Sequence, residues 1–239
     1  MKWESFAEQF DESWHEKIRP FIESEECDKI YAKLKSLGRR GVKIAPLSFQ
    51  TFRAFRETPL YRLKVVMMGM APYHTFMNGL PVADGLLMGC SVTGKLQPSL
   101  DQFYGALERE LYDGLQLNAP KHSDVSYLAN QGVLMLNASL TVEKDKPGSH
   151  IPLWEPFIKY LFEEIINVTG VPIIFLGKDA AKYQKYTAPM TWTFTLSHPA
   201  SAAYKHTEWD SEGVFKKINM IIKQNNNLEI DWLDVEPPF

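Results

Sequence analysis

The sequence predicts an α/β fold: a three-layer α/β/α sandwich around a central, mainly parallel four-stranded sheet. Four runs of four to six residues are almost continuously apolar: 64–68, 133–136, 171–176 and 191–196. They are rich in β-branched or aromatic residues, and apolarity without alternation marks strands covered on both faces, as in a parallel sheet. Helix-like segments lie between and after them, at 99–115, 154–168, 180–186 and 211–224. Strand and helix therefore alternate, the pattern of a sheet with helices on both sides. No fixed-period repeat interrupts this order, which excludes solenoids and propellers.

The first fifty-five residues read as helices. Trp3, Phe6, Phe10 and Trp14 recur at spacings of three and four, giving one apolar face. Residues 28–35 continue the pattern and Gly38 is the expected stop. A short basic stretch follows from Lys35 to Lys43, including Arg39 and Arg40, and reads as solvated surface. The tail, 225–239, is acidic and ends in prolines. With 239 residues, the chain has room for one large domain or two small ones. Hydrophobic content of 45% against 23% charge is that of a chain that buries a core. No apolar run approaches the ~20 residues of a membrane helix, and the N-terminus lacks a signal-peptide core. Two cysteines, Cys27 and Cys90, exclude a disulfide framework and a four-thiolate cluster. The expected location is a reducing compartment, cytoplasmic or nucleoid/nuclear, and not secreted. A net charge of −3 supplies no global basic field for nucleic acid, although a local patch can.

Each apolar run ends in a polar cluster. The first gives Gly69-Met70-Ala71-Pro72-Tyr73-His74, the second Asn137-Ala138-Ser139, the third Gly177-Lys178-Asp179 and the fourth Ser197-His198-Pro199-Ala200-Ser201. Open parallel sheets bind ligands outside the carboxyl ends of their strands, so an Asn and two His at three strand ends converge on one crevice. Each cluster alone reads as loop punctuation; four in register favour a site. No metal-ligand spacing emerges.

These residues resemble the uracil-DNA glycosylase superfamily, most closely its uracil-N-glycosylase branch, over about 64–222 and more faintly through 1–60. Residues 64–74 are similar to the family's KVVILGQDPYH, the water-activating loop. Leu96-Gln97-Pro98-Ser99-Leu100 resembles the PPSL loop that presses on DNA phosphates. Residues 133–142 resemble VLLLNAVLTV, whose Asn reads the base, and Ser149-His150 falls where that branch has its SH pair. Ser197-His198-Pro199 is similar to the minor-groove HPSPLS loop. The resemblance implies one domain over 1–239 that flips uracil or a related pyrimidine out of DNA and hydrolyses its N-glycosidic bond without cofactor or metal.

Such a bond breaks through an oxocarbenium-like sugar, so positive charge on the sugar and negative charge on the departing base must both be stabilised. By resemblance, Asn137 pairs with the Watson–Crick edge, a neutral His198 donates to the base carbonyl, and Tyr73 excludes a thymine methyl. Met70 and Cys90 line a softer pocket than the family's, while His74 and His150 order the loops. Gln97, Pro98, Ser99, Lys178, Ser197 and Ser201 face DNA, and Lys182, Lys185 and Lys205 extend a modest phosphate rim.

Several positions depart from the pattern. Ala71 stands where the motif has its catalytic Asp, and Met70 where it has Gln. The stacking Phe has no counterpart in Gly85-Leu86-Leu87-Met88-Gly89-Cys90-Ser91, and the wedge Leu corresponds to Ala202. Three accounts fit Ala71: an engineered Asp→Ala change, a natural relative that binds without excising, or kinship with branches that have Ala there and use an acid further along. On the third account Asp84, before Gly85, is the replacement carboxylate; its other reading is a turn or cap Asp. A missing wedge favours single-stranded DNA over duplex. The expected chain is a monomer, with a protein inhibitor or a replication protein as a further partner; the rival function is a catalytically inactive DNA- or protein-binding relative.

Overall fold

A computed structural model describes residues 3–112 and 121–235. In chain order the helices are α1 (His15–Ile22), α2 (Glu25–Arg39), α3 (Arg53–Glu57), α4 (Pro98–Leu111), α5 (Ser126–Asn130), α6 (Ile151–Tyr160), α7 (Lys178–Ala181), α8 (Pro199–Lys205) and α9 (Val214–Gln224). The strands are β1 (Ile44–Ala45), β2 (Val65–Gly69), β3 (Phe76–Met77), β4 (Leu80–Pro81), β5 (Val133–Asn137), β6 (Val142–Glu143), β7 (Ile173–Leu176) and β8 (Thr193–Leu196).

The four apolar runs form the central sheet in the order β5-β2-β7-β8, with every neighbouring pair parallel. β2, β5 and β7 are buried along their whole length, as continuous apolarity predicts. β8 differs: Thr195 is exposed and Thr193 and Phe194 are half-buried, because β8 is an edge strand. Parallel pairing places all four carboxyl ends on one side. Registration runs to the last residue, Gly69 opposite Asn137, so these two share the rim of the sheet.

The N-terminal apolar face is real but not α-helical. Trp3, Phe6, Phe10 and Trp14 are buried from three successive 3-10 turns that precede α1. Phe10, Phe52 and Phe55 pack on one another, and Phe52 and Phe55 on Phe157 of α6, which fastens this segment to the core. Gly38 does not stop α2; the helix runs through Arg39, and Gly41, at φ +75°, makes the reversal. The helix expected over 154–168 begins earlier, at Ile151, and finishes as a π turn and a 3-10 turn. α9 starts only after Gly213, and residues 113–115 of the helix expected over 99–115 lie outside the described residues. The tail is no loose acidic appendage as far as Val235: Ile230, Trp232 and Leu233 are buried, and Asn219 and Gln131 bond its backbone. Among the described residues no helix is long and apolar enough to cross a membrane.

Candidate active site

The site is built at the rim where β2 and β5 end together. Beyond the strands the two chains stay bonded: Ala138 N donates to Gly69 O at 2.8 Å and Ser139 N to Met70 O at 3.0 Å. Asn137, the last residue of β5, is 3% exposed, and its Oδ1 has no hydrogen-bond partner. A buried amide oxygen left unpaired costs about 1–3 kcal/mol, a cost that a ligand's N–H removes.

His198 follows β8 and caps α8. Its Nδ1 accepts the Ala200 N–H at 3.1 Å, which fixes the tautomer with the proton on Nε2. Burial pushes its pKa down to about 4, so the ring is neutral near pH 7. A Cβ built on Gly69 would sit 3.3 Å from Asn137 Oδ1 and 3.8 Å from His198 Nε2 and would collide with Leu87. Glycine is therefore required at the end of β2, and around it an unpaired carbonyl and an imidazole N–H reach one small space. That pair can accept from and donate to the edge of a planar heterocycle.

Tyr73, four residues past Gly69 on the same loop, is half-buried and shares a 2.5 Å hydrogen bond with Ser99. Burial raises its pKa, keeping the phenol neutral. Ser99, expected to face phosphate, is 4% exposed at the start of α4, with its hydroxyl bonded to Tyr73. Gln97 is half-buried and Pro98 exposed at the start of α4. Ser197 is exposed, with its Oγ accepting from Trp209 Nε1 at 3.1 Å; the Ser201 hydroxyl bonds back to His198 O at 2.7 Å. Lys178 and Lys205 are exposed, whereas Lys182 and Lys185 are held by Asp179 and Glu155.

Asp84 lies in a buried ion-paired network. It is fully buried, its Oδ2 receives Arg53 Nη1 at 2.8 Å, Ser91 N at 3.0 Å and Ser91 Oγ at 2.6 Å, and its Oδ1 accepts Leu86 N at 3.1 Å. Neither oxygen of this carboxylate reaches the surface. Arg53, 7% exposed and also bonded to Glu57 and Asp124, is the counter-ion that makes this burial tolerable. Asp84 thus anchors the 84–91 loop. Cys90 has no exposed surface, lies in the core, and burial pushes its thiol up to about 11.

Ala202 is 6% exposed and packs inward, so size is not its only obstacle to acting as a wedge. Two residues later Tyr204 is 85% exposed on the same helix. Met70 and Ala71 are half-buried on the loop, and the His74 carbonyl accepts Asp145 N at 3.0 Å. His150 is buried in a chain with Thr141 (2.8 Å) and Trp154, whose Nε1 donates to the same hydroxyl. Leu87, which covers Gly69, was not singled out by sequence; its only signal is the apolar step after Gly85. Among the described residues no group of three or more His, Cys, Asp or Glu could hold a metal.

Comparison with known proteins bears on this geometry. The family model described as the uracil DNA glycosylase superfamily matches residues 55–223. A curated uracil-DNA glycosylase of Acinetobacter baylyi is 32% identical over 228 residues, covering 94% of this chain and 92% of the relative. One from Pseudomonas aeruginosa is 33% identical, covering 92% and 93%. Among solved structures, mimivirus uracil-DNA glycosylase aligns with TM-score 0.81 at 22% identity, over 97% of this chain and 89% of that one. A variant of the mimivirus enzyme, solved in complex with UGI, aligns with TM-score 0.83 at 23% identity, over 97% and 91%. These structures share the fold.

Proposed function

Since the chain belongs to the uracil DNA glycosylase superfamily, we propose that Asn137, His198 and Tyr73 form its base pocket and that leaving-group stabilisation carries its catalysis. The observation behind this reading is the meeting of the unpaired Asn137 Oδ1 with the protonated Nε2 of His198 over Gly69. The extruded pyrimidine offers its N3–H to Asn137 Oδ1 and one carbonyl to His198 Nε2–H. Tyr73 fills the space beside C5, where thymine carries its methyl.

As the N-glycosidic bond lengthens, its electron pair moves into the base, and His198 stabilises the anion that forms. Water then adds its oxygen to the sugar C1′, and its proton ends on the base or in solvent. Ala71 offers no carboxylate to orient that water or to offset the sugar's positive charge, and Asp84 is held away by Arg53. Hydrolysis therefore proceeds at a rate well below that of a site with the acid in place. No metal or cofactor is required.

The preferred substrate is single-stranded DNA. Ala202 packs inward, so α8 carries no aliphatic wedge at that position, while the exposed ring of Tyr204 gives neighbouring bases a stacking surface. The chain acts as a single-domain monomer in the cytoplasm or with the chromosome, where a protein inhibitor or replication protein is a further partner. The deciding experiment is uracil release from single- and double-stranded oligonucleotides by the chain as it stands. Release from both strands' substrates, faster from single strands, is expected. DNA binding without release from either sinks the hydrolase reading in favour of a binding module.

A further inference from the structure

Resting on the base-pocket reading, a second feature concerns how the strand is held beside the pocket. Lys178 and Lys205 are exposed on the β7–β8 side. A denser basic edge, assembled from two distant parts of the chain, lies against the loop that follows β2. Arg39 and Arg40 close α2 and Lys43 leads into β1; β1 pairs antiparallel with β6, so that Ile44 faces Glu143 and Lys144 N donates to Lys43 O at 2.8 Å. Lys146 follows on the same turn.

This edge is fastened to the loop that forms the pocket. Asp145 N donates to His74 O at 3.0 Å, and a Cβ on Gly148 would lie 3.8 Å from Met70 Cε. Five cations (Arg39, Arg40, Lys43, Lys144 and Lys146) stand against two carboxylates, Glu143 and Asp145, in a chain whose net charge is −3. All five cations are exposed. Lys146 is paired with Glu143 at 2.6 Å and Lys144 loosely with Asp145 at 3.7 Å; Arg39, Arg40 and Lys43 form no ion pair among the described residues. Excess charge of one sign gathered beside a pocket focuses a polyanion there.

We propose that the Lys43–Lys144–Lys146 edge, held against the His74 and Met70 loop, binds the phosphates of the DNA strand on one side of the extruded nucleotide. The test uses the full chain and a triple variant, Lys43→Ser with Lys144→Ser and Lys146→Ser. A control variant of equal charge change, Lys29→Ser with Lys159→Ser and Lys223→Ser, removes exposed lysines far from the strand ends. Fluorescence anisotropy is read on single strands holding one uracil, with both flanks, without the 5′ flank, or without the 3′ flank, over a range of salt.

The edge variant is expected to bind the doubly flanked strand about tenfold more weakly, with the salt slope reduced by about two, since each phosphate contact on a single strand contributes about 0.7. Its deficit should vanish on one truncated strand and persist on the other, while the control variant behaves as the parent. Equal affinity and slope for parent and edge variant overturn the proposal. So does an equal deficit on all three strands, an equal deficit in the control, or a fall in melting temperature that accounts for the loss. Uracil release is followed separately: its absence in the parent overturns base excision, whereas the phosphate edge stands or falls on the binding data.

Discussion

Asn137 Oδ1 and His198 Nε2, carried by two outer strands of the sheet, converge on the point where Gly69 lacks a side chain, 3.3 and 3.8 Å from the position a Cβ would take. Gly69→Ala tests what that space is for. The added methyl meets Leu87 and Asn137, and overpacking of this kind costs about 1–3 kcal/mol. A base held by Asn137 and His198 would be displaced as well. The expected result is a fall in kcat/KM of about a hundredfold or more, larger than any loss of folded protein, from steady-state release assays beside thermal melts. Unchanged uracil release would show that the pocket lies elsewhere.

Asn137→Ala separates binding from folding in an unusual way. The amide oxygen is buried and unpaired in the free protein, so its removal deletes a polar group that is unsatisfied before substrate arrives. Folding stability should change by less than about 1 kcal/mol or rise. Base recognition should suffer, because one paired contact to a base edge contributes about 1–3 kcal/mol, a roughly five- to 150-fold fall in kcat/KM. Calorimetry and release kinetics on one preparation check both halves.

The sheet was legible because β2, β5 and β7 are buried on both faces, and nothing but continuous apolar residues suits such strands. β8 was legible as a strand but not as an edge, since Trp192 and Phe194 look the same in sequence whether covered or not; Trp192 is 61% exposed. The positions of Asn137 at the end of β5 and of His198 just past β8 were readable from the apolar runs before them. The ion pair of Asp84 was not legible because its partner, Arg53, lies thirty-one positions earlier on α3, and no local pattern announces a contact between them. The N-terminal aromatic spacing suits a 3-10 turn as well as an α-helix, which is why the face was foreseen and its geometry was not.

The pH dependence follows from His198. Its pKa is lowered from 6.5 to about 4 by burial, and the neutral ring with its proton on Nε2 is the form that donates to the base. Activity should hold from pH 8 down to about pH 5 and fall as the ring protonates near pH 4, without the inflection near 6.5 of an ordinary imidazole. Stability has the matching sign. Between pH 6.5 and about 4 the unfolded chain takes up a proton that the folded ring refuses, so this residue's contribution is lost as pH falls through that window. His198→Gln should remove that part of the acid sensitivity, seen as the difference between the two melting curves against pH. An activity inflection near 6.5 would place the ring in solvent.

Asp84→Asn should act on the fold rather than on chemistry. It leaves Arg53 buried with one fewer anion, and breaking a buried pair costs about 3–5 kcal/mol. For a chain of this size the melting temperature should drop by roughly 10 °C. At a temperature where the variant stays folded, kcat should remain within about threefold of the parent. Loss of kcat by several powers of ten in fully folded protein would restore Asp84 as the acid.

Ala71→Asp is the complementary change. Ala71 sits half-buried on the loop that leaves β2 beside the Gly69 rim, two residues past the bond between Gly69 O and Ala138 N. A carboxylate there is close enough to the pocket to orient water and to face the sugar as it becomes cationic. A positioned general base contributes about 10²–10⁴ in rate, so kcat should rise by that order with little change in KM, because the group acts on the transition state more than on the bound base. The gain should also depend on the rest of the site: combined with His198→Gln, the new Asp should give a smaller increase, since water attack helps little while the base cannot leave. Single-turnover release by the four proteins of this cycle measures the coupling. Equal gains with and without His198 would mean that the two residues do not serve the same bond cleavage.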